Sequence, residues 1–279
     1  MVNLIQKHRN TKAGAIIKCV LFLLIFFLLM MISGPFGAAF HAPYDKLFYG
    51  VYGVIAGYFS VWLIMRVEDK PLSSIGMKWD KHTWWRFSVG MLIGLLIFVP
   101  MIGIMLMFTP LSLTYNPTFF SFNTFLLYLP ILPLALGEEL CFRSYPQVKL
   151  NSTYGIWISQ IVMAILFGAY HMLMGWNVLV AFTGPAVWSF VFGLAAIKHG
   201  GIAVSTGIHF FINVLQSIVG TKGGKTGLWK LDYLPGTTKP MMDNTDHIGL
   251  LLHALLLIGA LVLTARYAKS LRQTVKTEK

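Results

Sequence analysis

"ALGEELCFRSYP", residues 135–146, places two adjacent glutamates and an arginine inside one of the most hydrophobic parts of the chain. Acidic residues are scarce, with 10 Asp and Glu among 279 residues. An ionised carboxylate at the centre of a membrane-spanning helix costs about 2.5–3.5 kcal/mol on insertion scales, so two together require a cavity, a partner or a proton. Helical geometry separates them. Neighbouring residues diverge by about 100° around the axis, whereas Glu139 and Arg143, four apart, share a face in the favourable acid-before-base order. Glu139 is therefore predicted to pair with Arg143, which leaves Glu138 to face a polar group on another segment.

The surrounding composition sets the solvent. Hydrophobic residues make up 56% of the chain and charged residues 11%, against about 25% charged in an ordinary soluble domain. The mean hydropathy is +0.69. Apolar runs reach the roughly 20 residues that span a bilayer as a helix. Their approximate bounds are Ile16–Ser33, Leu47–Met65, Phe87–Phe108, Phe122–Lys149, Tyr154–Leu173, Val178–Ile197, Ile202–Val219 and Ile248–Thr264. The expectation is an all-α integral membrane protein of about eight transmembrane helices in one bundle, a single polytopic domain over 1–279. The first apolar run follows a basic stretch but continues through Met31 without a small-residue cleavage site, so it reads as a retained anchor.

The net charge of +12 does not indicate nucleic acid. Basic residues gather at the termini (Lys7, Arg9, Lys12, Lys18; Arg266, Lys269, Arg272, Lys276, Lys279) and in the 66–86 segment (Arg66, Lys70, Lys78, Lys81, Arg86). Those positions hold helix ends at the cytoplasmic face beside anionic lipid, and the Trp-containing 66–86 segment suits an interfacial stretch. With an even number of spans both termini are predicted to be cytoplasmic and the uncharged 110–122 connection external. Lys222, Lys225, Lys230 and Lys239 in the 221–246 loop count against that orientation, partly offset by Asp232, Asp243 and Asp246. The 221–246 loop reads as irregular. Cys19 and Cys141 lie in apolar segments with no CxxC or zinc-ligand spacing.

Other polar residues in apolar segments are the candidates to face Glu138. "LFGAYHM" puts His171 late in the fifth segment, and "GIHFFINVL" puts His209 and Asn213 on one face of the seventh. A carboxylate beside an imidazole can hold a water and take its proton, and a His–Asn pair can donate hydrogen bonds to a developing oxyanion. Each group alone has a plainer role: Glu139–Arg143 as a clamp within the bundle, a membrane histidine as a packing residue, His209–Asn213 as helix glue. Their convergence on neighbouring segments points to hydrolysis at a carbonyl carbon. His41, His82, His199, His247 and His253 have no comparable company. Cys141 and Ser144 lack a base, and no G-x-S-x-G occurs.

The motifs Glu138-Glu139-Leu-Cys-Phe-Arg143, Phe167-Gly-Ala-Tyr-His171 and His209-Phe-Phe-Ile-Asn213, in that order on successive apolar segments, resemble the CPBP family. These are CAAX-processing and bacteriocin-processing intramembrane proteases, also called the Abi or type II CAAX endopeptidase family. The resemblance covers roughly 125–216, the motif-bearing core. It implies an eight-helix core with an intramembrane active-site cavity, water activated by Glu138 and His171, and a tetrahedral intermediate stabilised by His209 and Asn213. Glu139 and Arg143 would support the site. Ser144 stands where a glycine is common in relatives.

The resemblance also implies a membrane-associated peptide or protein substrate, and membrane lipid as surroundings. A bacterial plasma membrane and a peptide precursor fit the compact chain. Glu138, His171 and His209 could hold a divalent metal such as zinc, but the HExxH spacing is missing, and a metal-independent hydrolase is the preferred expectation. Two other functions compete: a non-proteolytic scaffold or bacteriocin-immunity protein of the same family, and a proton-coupled transporter using an intramembrane carboxylate. One difficulty is geometric. If the fifth and seventh segments start at the same face, His171 and His209 differ in depth by about 15 Å.

Overall fold

The computed structural model describes residues 11–41, 44–117, 119, 122–221 and 227–277, with backbone alone at 123 and 275–277. Lys7, Arg9, Lys222, Lys225 and Lys279, and the side chain of Lys276, lie outside the described residues. The helices are α1 (Lys12–Gly37), α2 (Tyr44–Glu68), α3 (Thr83–Phe108), α4 (Phe122–Tyr128), α5 (Ile131–Phe142), α6 (Tyr145–Tyr154), α7 (Ile156–Leu173), α8 (Val178–Thr183), α9 (Pro185–His199), α10 (Ala203–Ile218) and α11 (Lys239–Thr277). Two short strands, β1 (Leu111–Tyr115) and β2 (Trp229–Tyr233), complete the described chain. The protein is an all-α membrane bundle. Among the described residues, 7 helical stretches are long and apolar enough to cross a membrane, and the shorter apolar Ala203–Ile218 joins them.

Proline chemistry redraws two of the predicted segments. The fourth is three helices. Pro130 precedes α5, and Pro133 sits in its first turn, where a missing N–H is tolerated. The second break falls at Arg143 and Ser144, because Pro146 has no N–H to continue the ladder and instead opens α6. The sixth segment divides at Gly184, with Pro185 starting α9. The eighth is longer than its apolar run: α11 has 39 residues, about 58 Å of helix against an apolar core of about 30 Å. The 221–246 connection, expected to be irregular, contains β2 and the first turns of α11.

β2 pairs antiparallel with β1, Leu111 opposite Tyr233 and Tyr115 opposite Trp229. The connections after α3 and after α10 therefore meet at one end of the bundle. At the other end, the Tyr154 hydroxyl donates to the Lys12 carbonyl at 2.8 Å. There too the Gly76 backbone packs on Gly200 and Gly201. The 66–86 segment lies at this second end as a 3-10 turn (Leu72–Ile75) and an irregular stretch leading to α3, with Trp79, Trp84 and Trp85 exposed. Asp80 accepts from the His82 backbone N–H and pairs with Arg86, which together hold its carboxyl below the usual range.

Close backbone approach sets the packing around the site. Gly50, Gly53 and Gly57 on α2 face Leu134, Gly137 and Leu140 on α5, the small-residue contact that lets membrane helices come together. Gly90 and Gly94 on α3 face Val204, Gly207 and Ile208 on α10. A methyl group at Gly90 would meet the Val204 carbonyl oxygen and the Ile208 nitrogen, which are backbone and cannot rotate away. Gly90→Ala is expected to destabilise by about 1–3 kcal/mol, as overpacking does. In a detergent melting experiment it should lower the transition, while Gly103→Ala, which meets nothing within 4 Å, should leave it unchanged or raise it.

Candidate active site

α5 is pressed against the glycine face of α2 and carries Glu138 and Glu139 on diverging faces, as the helical geometry requires. Glu139 has no exposed surface, and neither does the Arg143 side chain. Their closest approach, Nε to Oε2, is 3.8 Å, an ion pair without a hydrogen bond. The remaining Glu139 oxygen, Oε1, lies 2.9 Å from Nδ1 of His209 on α10. A carboxylate only accepts, so this nitrogen carries the proton. The opposite ring nitrogen, Nε2, lies 3.6 Å from Oε2 of Glu138. His209 thus stands between the two carboxylates. The Glu139–Arg143 pair predicted from the spacing is present, and it extends to a third member that spacing along one helix does not reveal.

Aromatic rings fix the cationic and imidazole groups. The Arg143 guanidinium carbon lies 4.9 Å from the Phe167 ring centre, with Phe142 at 5.9 Å and Phe192 at 6.0 Å. A desolvated cation over an aromatic face gains about 2 kcal/mol or more. Nη2 of Arg143 donates to Ser189 Oγ on α9 at 3.0 Å. Phe192, one turn further along α9, stacks on the His209 ring at 4.6 Å and 14°. Ser189 and Phe192 carry no motif, and only the folded bundle shows their role. The Ser189–Phe192 spacing of one helical turn was the available sequence signal.

His171, near the end of α7, turns back along its own helix. Its Nδ1 lies 2.8 Å from the Phe167 carbonyl oxygen. A carbonyl can only accept, so Nδ1 is protonated and Nε2 holds the lone pair of the neutral ring. The His171 ring is 4.6 Å from the Phe167 ring and the His209 ring 6.0 Å from it. Both histidines therefore meet one aromatic side chain, despite the depth difference anticipated from the sequence. Asn213 lies one turn beyond His209 on α10, half-buried.

The three residues suggested as metal ligands do not converge as such. Among the described residues, no group of three or more His, Cys, Asp and Glu is arranged to hold a metal ion. Nδ1 of His209 is engaged by Glu139 and its Nε2 faces Glu138. The arrangement supports acid–base chemistry: a partly exposed carboxylate, an imidazole held between two carboxylates, and a second imidazole with a fixed tautomer. Removing Arg143 would leave the buried Glu139 charge with His209 as its remaining partner. Arg143→Ala is expected to destabilise the protein by about 3–5 kcal/mol, the usual result of breaking a buried ion pair. The double variant Arg143→Ala/Glu139→Ala should recover part of that loss in the same thermal unfolding measurement.

No curated protein matches the chain. Residues 119–215 match the family model described as type II CAAX prenyl endopeptidase Rce1-like. The matched stretch contains Glu138, Glu139, Arg143, His171, His209 and Asn213, along with Ser189 and Phe192. The motif-bearing core of this membrane protein is thus similar to the family that its motifs resemble.

Proposed function

We propose that this protein is an intramembrane endopeptidase that hydrolyses a peptide bond in a membrane-associated peptide or protein. The observation that carries the proposal is the meeting of Glu138, Glu139 and His209 within 3.6 Å, inside an Rce1-like core. Glu138 is the group suited to act as base. Its Oε2 is buried without a hydrogen-bond partner, whereas Glu139 is committed to His209 and Arg143.

In this reading a water held by Glu138 and Nε2 of His171 attacks the substrate carbonyl carbon. Its proton passes to Glu138, and the carbonyl electron pair moves to oxygen. Asn213, and His209 in the form that also carries a proton on Nε2, donate hydrogen bonds to that oxyanion, with Glu139 and Arg143 fixing the His209 ring. Collapse of the intermediate breaks the C–N bond, and Glu138 returns the proton to the leaving amine. A positioned base and acid of this kind contributes about 10²–10⁴-fold.

The orientation belongs to the same proposal. The end that carries Lys12, Lys18, Arg66, Lys70, Lys78 and Lys81 is taken as cytoplasmic by the positive-inside bias, with both termini there and the β1–β2 ribbon outside. A bacterial plasma membrane and a peptide precursor as substrate remain the assignments preferred on the sequence.

Glu138→Gln and His171→Ala should each lower peptide release by at least about 100-fold with the melting transition retained. The readout is mass spectrometry of membrane peptides from cells carrying each variant. If folded variants keep the full peptide pattern and the cellular phenotype, the protein acts as a scaffold and the protease proposal fails. Activity is also expected to survive exhaustive chelation; complete loss with recovery on adding zinc would replace the water-activation scheme with a metal-dependent one.

A further inference from the structure

At the basic end of α2 lies a feature that the catalytic cluster does not use. The exposed side chains Ile55, Tyr58, Phe59 and Trp62 form an apolar stripe along one face of α2. From Ile55 to Trp62 the stripe runs about 10 Å, within one half of an apolar core of about 30 Å. The stripe ends in charge: Arg66, one turn after Trp62, holds its guanidinium 5.6 Å from the Trp62 ring centre. Among the described residues no carboxylate lies within ion-pair distance of Arg66.

The chain then folds back on itself. Asp69 adopts φ 57°, its N–H bonds to the Arg66 carbonyl, and the Lys70 N–H reaches the Met65 carbonyl. This is a Schellman turn with aspartate in the position usually given to glycine, and Pro71 follows it. The turn brings Lys70 and Leu72 alongside the end of α2 and encloses an open cleft of about 570 Å³, lined by Trp62, Arg66, Asp69, Lys70 and Leu72 among others.

The wall behind the cleft is also positive. Glu68, buried, receives Lys18 at 2.9 Å and Lys149 at 2.5 Å, with the Tyr145 hydroxyl donating at 3.0 Å. Lys70, on the cleft side, reaches the other Glu68 oxygen at 3.7 Å. With Arg66, four cations stand against two carboxylates, Glu68 and Asp69, around the cleft. An apolar stripe that leads from the bilayer to a basic cleft beside an interfacial tryptophan matches a lipid with an anionic head.

We propose that this cleft binds the phosphate headgroup of an anionic phospholipid, with Arg66 and Lys70 on the phosphate and an acyl chain along Ile55, Phe59 and Trp62. The site is independent of the catalytic reading and holds whether or not the protein is a peptidase.

The test is native mass spectrometry of the full chain, delipidated in detergent and titrated with phosphatidylglycerol, with phosphatidylcholine of the same acyl chains, or with inorganic phosphate. Phosphatidylglycerol should bind in preference to phosphatidylcholine. Arg66→Ala/Lys70→Ala should weaken it at least tenfold without shifting the lipid-free melting transition, and Lys78→Ala/Lys81→Ala at the same end should not. Equal binding of phosphatidylcholine, or equal weakening by the control pair, would show only the diffuse field of a basic surface and overturn the site. Binding of inorganic phosphate with the same affinity and the same variant sensitivity would assign the cleft to free phosphate instead of lipid.

Discussion

A carboxylate with no exposed surface, Glu139, governs the arrangement of the bundle interior. An uncompensated charge there is costly, and each surrounding element supplies part of its compensation. Arg143 comes from the end of its own helix, and His209 donates from α10. Arg143 is in turn held by Ser189 of α9 and the rings of Phe142, Phe167 and Phe192. The neutralising set therefore ties α5, α7, α9 and α10 together at one depth. The same set fixes the orientation of the His209 ring, so the stability of the bundle and the chemistry available to it rest on common contacts.

The glycine faces matter because they bring this set within reach. α5 approaches α2 over Gly50, Gly53 and Gly57, and α10 approaches α3 over Gly90 and Gly94. Helices in lipid gain little from hiding apolar surface, which is apolar on either side, so close backbone packing takes a larger share of the association. Elsewhere the helices are held by polar pairs, such as Gln147 with Gln160 at 3.2 Å between α6 and α7. Gly193 is a third such place: a side chain there would overlap the Gln147 and Gln160 amides.

Features carried by one helix were legible in the sequence. Apolar length gave the spans, and the four-residue spacing gave the Glu139–Arg143 pair. Pro130 stands at one break in the fourth segment. The break before Pro146 is equally a matter of a missing N–H, which a reading by apolar length alone passes over. What depends on contacts between helices was not legible: His209 lies 70 residues from Glu139, and Ser189 and Phe192 belong to no motif. The β1–β2 ribbon was hidden for another reason. Its strands are short, and they pair across four intervening apolar segments, so no local turn signal joins them. Counting residues along each helix anticipated a depth conflict between His171 and His209, yet both rings meet the Phe167 side chain between them.

The placement of Arg143 four residues after Glu139 has a consequence for biosynthesis. When the ribosome has made α5, Glu139 already has a cation within the same few turns of chain, so the carboxylate that ends up fully buried can enter lipid neutralised. His209, made 70 residues later, need not be present for insertion. A bundle that relied on His209 alone would leave a bare charge in the bilayer until α10 arrived, several seconds at about 5–20 residues per second. The local pair thus makes the order of synthesis compatible with a site whose other half is encoded far downstream.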